Sequence, residues 1–405
     1  MINPIEYQVV SPPGGEIEVL HKAPCLPPFD DRVMDFIAAL SKKLLTDKEF
    51  KSFPELSSLG FWMRHKNLLR MKENFEQEQG NRVLLPRGTV FHIAPSNVDT
   101  IFVYSWLLSM LCGNRNIVRI STRLGEQVDL LIRSINEILK ETAHAKIGNL
   151  FRIVRYPHSD EVTARFSAMC DMRMIWGGDE TIRRIRSVPL PPTAKEITFA
   201  DKFSFSVVDA ANFLAHPHKQ KLLWDFYNDA FWFGQLACSS PRVVFWLGDE
   251  ISVKGARAVF WKMLDEIVCR KNPDWHPSVV MDKLVAQYSQ AARSEGAVIE
   301  QGPSNRLNRI WIERKEEIRR DYHCGGGLFI EHRLERLSRL APWIIRKDQT
   351  ITAFGVSKER WEKFFRKHLP EGIDRVVPFG KALQFSVTWD GYDLFREFTR
   401  EVTVS

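Results

Sequence analysis

Two hydrophobic patterns alternate along this chain. Short continuous apolar runs mark strands buried on both faces, and apolar positions recurring every three or four residues mark amphipathic helices. Beyond Val83 the runs predict strands over 90–94, 117–120, 151–154 and 172–176. Helices are predicted over 100–111, over 128–141, and from Asp179 to about Ser187. Strand–loop–helix repetition of this kind implies parallel strands with crossover helices, an open doubly wound α/β sheet. Upstream, residues 1–30 read as irregular, and helices are predicted from Asp31 to about Leu45 and from about Pro54 to Glu78. Pro189-Leu190-Pro191-Pro192 breaks the pattern as a hinge or linker. A second lobe then opens with a strand over 202–208. It carries a charged helix over 314–320 and a flexible turn, Gly325-Gly326-Gly327, ahead of a strand over 328–330. A short strand over 401–404 closes the chain.

In open parallel sheets, ligands bind beyond the carboxyl ends of the strands. The loops in that position are Pro95–Asp99, Ser121–Arg123 and Gly177–Glu180. Pro95, Ser96, Ser121 and Thr122 are therefore candidate ligand contacts. Gly177-Gly178, between a strand and a helix, lets backbone approach a phosphate at the helix N-terminus. The pair is not G-x-G-x-x-G, and it is equally an ordinary turn. Arg119 and Arg123 are suited to phosphate, or are solvated surface arginines.

Gly234-Gln235-Leu236-Ala237-Cys238-Ser239-Ser240-Pro241-Arg242 carries the densest chemistry. Leu222, Leu223, Phe226, Tyr227, Ala230 and Phe231 make one apolar face of a helix predicted over 219–233, with Gly234 as its stop. Val243 to Trp246 read as a buried strand. Cys238 thus falls in a turn of small residues, the setting of a nucleophilic thiol or of a structural cysteine. For His323 and Cys324, beside the triple glycine, a loop role outweighs a catalytic one.

Composition narrows the classes. The 405 residues allow two domains or one bilobed fold. Hydrophobic content of 44% is ordinary for a globular protein, and 27 Phe with 12 Trp make the core or a ligand cavity aromatic. A net charge of +7 suits an anionic ligand such as a nucleotide without any basic stripe for nucleic acid. The six cysteines are scattered with no C-x-x-C pair, which argues against zinc and other metal sites and for a reducing cytoplasm. No apolar segment reaches the length of a membrane span, and the N-terminus lacks a signal-peptide pattern.

Taken together, several segments resemble the aldehyde dehydrogenase superfamily and, within it, the fatty acyl-CoA reductases of the bacterial bioluminescence type. They are Pro54-Glu55-Leu56 with Gly60-Phe61-Trp62, Ala94-Pro95-Ser96-Asn97-Val98, Trp176-Gly177-Gly178-Asp179-Glu180, Gln235-Leu236-Ala237-Cys238-Ser239-Ser240-Pro241, and Asp374-Arg375-Val376-Val377-Pro378 through Trp389-Asp390-Gly391-Tyr392. The resemblance implies an aldehyde-dehydrogenase-like α/β fold. A Rossmann-like cofactor domain would span 1–200, completed by about 375–405, and an α/β catalytic domain with the nucleophilic cysteine would span 201–374.

It also implies roles. Cys238 matches the acyl-carrying nucleophile, Asn97 an oxyanion-hole amide, and Glu196 approximately the general base. Ile197-Thr198-Phe199-Ala200 follows Glu196 where ordinary aldehyde dehydrogenases have Leu-Gly-Gly. Arg119 stands for a lysine on the cofactor ribose, and Gly177-Gly178 for the turn at the pyrophosphate. Thr122 replaces a glutamate facing the adenine ribose, which favours NADPH. Thr352 replaces the glutamate at the nicotinamide ribose. The implied reaction is NADPH-dependent reduction of an acyl thioester to an aldehyde, the acyl group coming from acyl-CoA or from an adenylate-forming acyl ligase. Aldehyde oxidation to acid, and a non-catalytic scaffold for such a ligase, are the competing readings. By the same resemblance the protein is expected to be a homo-oligomer, its C-terminal strand able to pair across subunits.

Overall fold

The computed structural model describes residues 7–94, 101–122, 125–271, 275–301, 305–314, 318–320 and 323–404. It divides into one unit of residues 1–200 with 385–405 and a second of residues 201–384, each with its own sheet.

The first unit begins with β1 (Gln8–Ser11), α1 (Ile17–Lys22) and α2 (Asp31–Thr46), whose N-cap is the Asp30 side chain. The long helix expected over 54–78 is two, α3 (Pro54–Trp62) and α4 (His65–Gln79). The Asn67 amide and the Arg64 guanidinium donate to the carbonyls of Phe61 and Trp62, which satisfies the end of α3 and lets the chain turn. After β2 (Val83–Pro86), strands alternate with helices as β3 (Thr89–Ile93), α5 (Ile101–Leu111), β4 (Arg115–Ile120), α6 (Glu126–Ile138), β5 (Phe151–Arg155), α7 (Asp160–Ala168), β6 (Met172–Trp176), α8 (Asp179–Arg186) and β7 (Lys195–Phe199). The order across the sheet is β1-β5-β4-β3-β6-β7, parallel except for β1. Chain order reverses between β3 and β6, so the loops after these two strands flank a topological switch point. His92 of β3 is wholly buried between Ser105 and Asn116, and burial holds it neutral with a pKa lowered to about 4.

The second unit runs β8 (Phe203–Asp209), α9 (Ala210–Ala215), α10 (Lys219–Phe231), β9 (Pro241–Leu247), α11 (Glu250–Lys271), α12 (Pro277–Ala291), β10 (Val298–Gln301), β11 (Asn308–Trp311), β12 (Leu328–Leu334), β13 (Asp348–Phe354), α13 (Lys358–His368) and β14 (Arg375–Pro378). Its sheet order is β10-β11-β12-β9-β8-β13-β14, parallel except for β10. One core lies on each face. Phe205, Phe245 and Trp343 belong to one, and Phe226, Trp246 and Phe260 to the other. Part of the expected charged helix over 314–320 lies outside the described residues, and residues 318–320 are not helical. There the Arg320 guanidinium is drawn onto the buried Asp348 carboxylate instead.

Arg375–Pro378 is the edge strand of this second sheet, and the chain rejoins the first unit at Phe385. It ends with β15 (Thr388–Trp389), β16 (Tyr392–Asp393), α14 (Leu394–Phe398) and β17 (Thr399–Val402). β17 pairs with β2 of the same chain. Among the described residues, no helix is long and apolar enough to cross a membrane.

Candidate active site

In the second unit, the candidate chemistry gathers at the amino ends of the parallel strands, where the Cys238 turn leads into β9. α10 stops at Phe231, and the next turn holds three consecutive residues in the left-handed region: Phe233 (φ 57°), Gly234 (φ 62°) and Gln235 (φ 66°). Two of them are not glycine. Such residues typically cost about 1–3 kcal/mol each and persist where surrounding structure enforces them. Gln235 shows what enforces them here. Its side chain is fully buried; the amide donates to the carbonyls of Pro241 (2.9 Å) and Leu328 (3.1 Å), and its Oε1 accepts from the Gly327 N–H at 3.0 Å.

The triple glycine expected as a flexible turn is the other half of this lock. Gly326 N–H donates to the Gly234 carbonyl at 3.0 Å. A Cβ on Gly325, where φ is +73°, would stand 2.3 Å from that same carbonyl oxygen, so only glycine lets the two turns close. Beneath them, the buried Lys283 ammonium donates to the carbonyls of Gly326 (3.0 Å) and Asn305, and burial lowers its pKa to about 8.

Cys238 itself is half-buried. Its carbonyl accepts from the Ser204 hydroxyl of β8 at 2.6 Å, and the Ser240 hydroxyl donates to the Asp229 carbonyl of α10 at 2.8 Å. The turn is therefore tied to strand, helix and neighbouring turn, while its sulfur stays on a short-side-chain segment. Trp232 and Phe233 are exposed, and Leu236 is 56% exposed, so the turn leading to the cysteine presents three large apolar side chains to solvent. Phe226 and Phe231 are core residues, and Trp224 packs against that core. Arg242, four residues beyond the cysteine, is buried with its charge near the sulfurs of Cys238 and Cys324. Sequence reasoning quoted Gln235 and Arg242 without giving either a role. A polar residue of each type inside a run of small and apolar ones was the available signal.

His323 and Cys324 have loop roles. The His323 Nε2–H donates to the Leu328 carbonyl and its Nδ1 accepts from the Gly325 N–H, both at 3.0 Å. Burial and the Arg242 charge lower its pKa to about 3, so it is a neutral ring with both nitrogens used. Burial pushes the Cys324 thiol up to about 11.

In the first unit, the candidate cofactor residues line the carboxyl edge of the sheet. Gly177 and Gly178 follow β6, with Gly178 as N-cap of α8 and open space where a Cβ would stand. Arg119, near the end of β4, is buried; its guanidinium lies 5.3 Å from the Tyr156 ring centroid, and burial lowers its pKa. The Trp176 indole N–H, at the same edge, is buried without a hydrogen-bond partner among the described residues. Ser121 is buried and Thr122 exposed. A buried cation, an orphan donor and an open glycine fit an anionic dinucleotide. Asp179 and Glu180 on the first turn of α8 work against phosphate at that helix end. Pro95, Ser96, Asn97 and Arg123 lie outside the described residues.

Two expected residues have other work. Glu196 in β7 faces Arg173 of β6: the Arg173 Nε donates to its Oε2 at 2.7 Å, and Arg186 bonds its Oε1 at 3.1 Å. This carboxylate neutralises a buried arginine and is not a free base. Three residues on, Phe199 stacks on Trp176 at 3.8 Å between centroids, which occupies the place of the missing small residues. Thr352 is fully buried in β13 with its hydroxyl bonded to Ser206 of β8, so it offers nothing to a ribose.

The doubly wound first unit and the cysteine turn of the second define a protein of aldehyde-dehydrogenase fold. Aldehyde dehydrogenase 21 of Physcomitrella patens superposes with a TM-score of 0.66 at 11% identity, over 95% of this chain and 86% of that one. The NAD-dependent benzaldehyde dehydrogenase of Corynebacterium glutamicum gives 0.61 at 14%, over 93% and 85%. The family model for acyl-CoA reductase (LuxC) matches residues 65–401, and the chain belongs to that family. It is similar to the long-chain acyl-protein thioester reductase of Vibrio harveyi, 22% identical over 304 residues, 73% of this chain and 59% of the relative. The long-chain acyl-protein thioester reductase 2 of Photobacterium leiognathi is 25% identical over 178 residues, 42% of this chain and 34% of the relative. The matched stretches thus span about a third and about three fifths of these relatives. A reductase family on this fold implies a nicotinamide cofactor.

Proposed function

We propose that this protein reduces an acyl thioester to an aldehyde through an acyl group carried on Cys238, with NADPH as reductant. The observation that carries the reading is the doubly locked turn at Cys238: family membership supplies the reaction, and the enforced left-handed backbone supplies a fixed, reachable thiol. Thiolate is both a nucleophile and a leaving group, as thioester exchange requires. The Cys238 sulfur attacks the acyl carbon, and the donor's thiolate departs. Asn97 is proposed as an oxyanion donor, as the family resemblance implies, and losing one such donor costs about 10²–10³ in rate. When bound, NADPH supplies the hydride. Arg119, Gly177 and Gly178 are the residues proposed to hold it, and the neutral Thr122 leaves room for a 2′-phosphate.

No hydrolytic water is needed in this direction, which agrees with Glu196 being committed to Arg173 and Arg186. An aldehyde oxidase would need a base there. The exposed Trp232, Phe233 and Leu236 support an aliphatic or aryl acyl chain. Two relatives are named for acyl-protein thioesters, which supports an acyl-activating ligase as donor beside acyl-CoA.

The test is turnover with long-chain acyl-CoA and NADPH, scored by aldehyde released. We expect aldehyde from the native protein and none from Cys238→Ala. Conversion of free aldehyde to acid without CoA, with no aldehyde made from the thioester, would establish the oxidising reading instead.

A further inference from the structure

Arg242 is the one buried cation of the cysteine turn that the reaction above leaves unused. It is 6% exposed. Its Nη2 reaches the Leu236 carbonyl only at 3.4 Å, and its Nε is buried without a hydrogen-bond partner among the described residues. None of the ion pairs among those residues includes it. The nearby carboxylate, Asp201, is itself bonded to the Lys347 ammonium at 2.8 Å. The aromatic face of Phe203, 5.4 Å from the guanidinium carbon, completes the enclosure. A buried guanidinium without a close counter-ion is costly, and it is stabilised by whatever negative charge its neighbours can develop. Those neighbours are Asp201, already shared with Lys347, and the sulfurs of Cys238 and Cys324.

We propose that Arg242 is a positioning residue that keeps Cys238 as a thiolate in the resting protein while fixing its turn through Leu236. The inference rests on Cys238 being the nucleophile. Among the described residues, the charged and titratable groups around the pair include Asp282 of α12, which acts on Cys324. From the triple-glycine turn, His323 is neutral and Cys324 is held protonated by burial. From β8 and its approach, Asp201 is paired with Lys347 and Lys202 with Asp374. Arg320, 5.5 Å from the same Phe203 ring, is paired with Asp348. Lys283, from α12, is spent on two carbonyls. Arg242 is a buried charge that acts on Cys238. When the thiolate attacks a thioester, its sulfur–carbon bond forms as the donor's breaks. The departing thiolate then takes a proton from solvent, so no base at the turn is required.

The experiment is the pH dependence of iodoacetamide alkylation at Cys238, followed by peptide mass spectrometry in the full chain. The native protein should titrate below the ordinary thiol value of about 8.5. In Arg242→Met the midpoint should rise by at least one unit. At a pH below both midpoints the alkylation rate should then fall about three- to fourfold per unit, since the tenfold loss of thiolate is partly offset by its greater nucleophilicity. Arg242→Lys should restore at least half the shift, and Arg242→Gln replaces the Met variant if melting shows that it does not fold. Equal midpoints in native and substituted proteins would overturn the role of Arg242 and leave Cys238 as nucleophile. No alkylation of native Cys238 at any pH would overturn the nucleophile itself, and the inference with it.

Discussion

Gln235 holds the cysteine turn by three hydrogen bonds that reach both strands flanking it, β9 and β12, and the triple-glycine turn. Replacing it with alanine leaves the Gly327 N–H and two carbonyls short of a partner in a buried place. Each such loss costs about 1–3 kcal/mol before relaxation, so Gln235→Ala should lower stability by a few kcal/mol in urea titrations. Gly325→Ala acts on the same contact from the other side. Its Cβ would collide with the Gly234 carbonyl, and we expect Cys238 alkylation to slow at least tenfold while the fold survives by far-ultraviolet circular dichroism. The thiol and its small neighbours were legible in the sequence because cysteine chemistry is local. The lock was not, since Gln235 and the glycines are 90 residues apart and only the sheet brings them together. Glu196 shows the converse. The family resemblance points to a carboxylate there, but its partner Arg173 lies across a strand pairing that no local pattern reveals.

In the first unit the strands of the sheet centre and the helices α5, α6 and α8 followed from apolar runs and periodicity, as did β8, α10, β9 and the start of β12 in the second, whereas α7, α11, α12, β13 and α13 were not singled out. What also escaped was anything set by side chains reaching back onto backbone, such as the break between α3 and α4. A buried carboxylate on β12 escaped as well. Glu331, fully buried, accepts from the indole N–H groups of Trp246 and Trp261, both at 2.7 Å, and from Arg257 at 2.8 Å through both oxygens. Arg257 in turn reaches Glu300, which also binds Arg309. This network joins α11 to β9, β10, β11 and β12. Removing one member of a buried, hydrogen-bonded pair costs about 3–5 kcal/mol, so Glu331→Leu should lower the unfolding free energy from urea titrations by that amount without altering Cys238 alkylation.

Each unit has its own sheet, and the proline-rich segment 189–192, read as a hinge or linker, lies inside the first unit between α8 and β7. The chain returns to the first unit at Phe385, later than the position of about 375 that the resemblance implied, and β17 pairs with β2 there. At this scale Asp229 sets a pH dependence. Its carboxyl, buried in α10, accepts from the N–H groups of Gly380 and Ala382, yet burial raises its pKa to about 7. The raised folded value means that the protonated form is favoured in the native state. Stability from this group is therefore complete below about pH 4 and declines as pH rises toward 7. Asp229→Asn should flatten that decline in denaturant titrations between pH 5 and 8.

The account as a whole stands on the sulfur of Cys238 becoming acylated. The direct measurement is mass spectrometry of the native protein mixed with long-chain acyl-CoA in the absence of reductant. A hydroxylamine-labile acyl adduct should appear on the peptide containing Cys238 and disappear, with aldehyde released, when NADPH is added. An adduct on another residue, or the same adduct in Cys238→Ala, would contradict it.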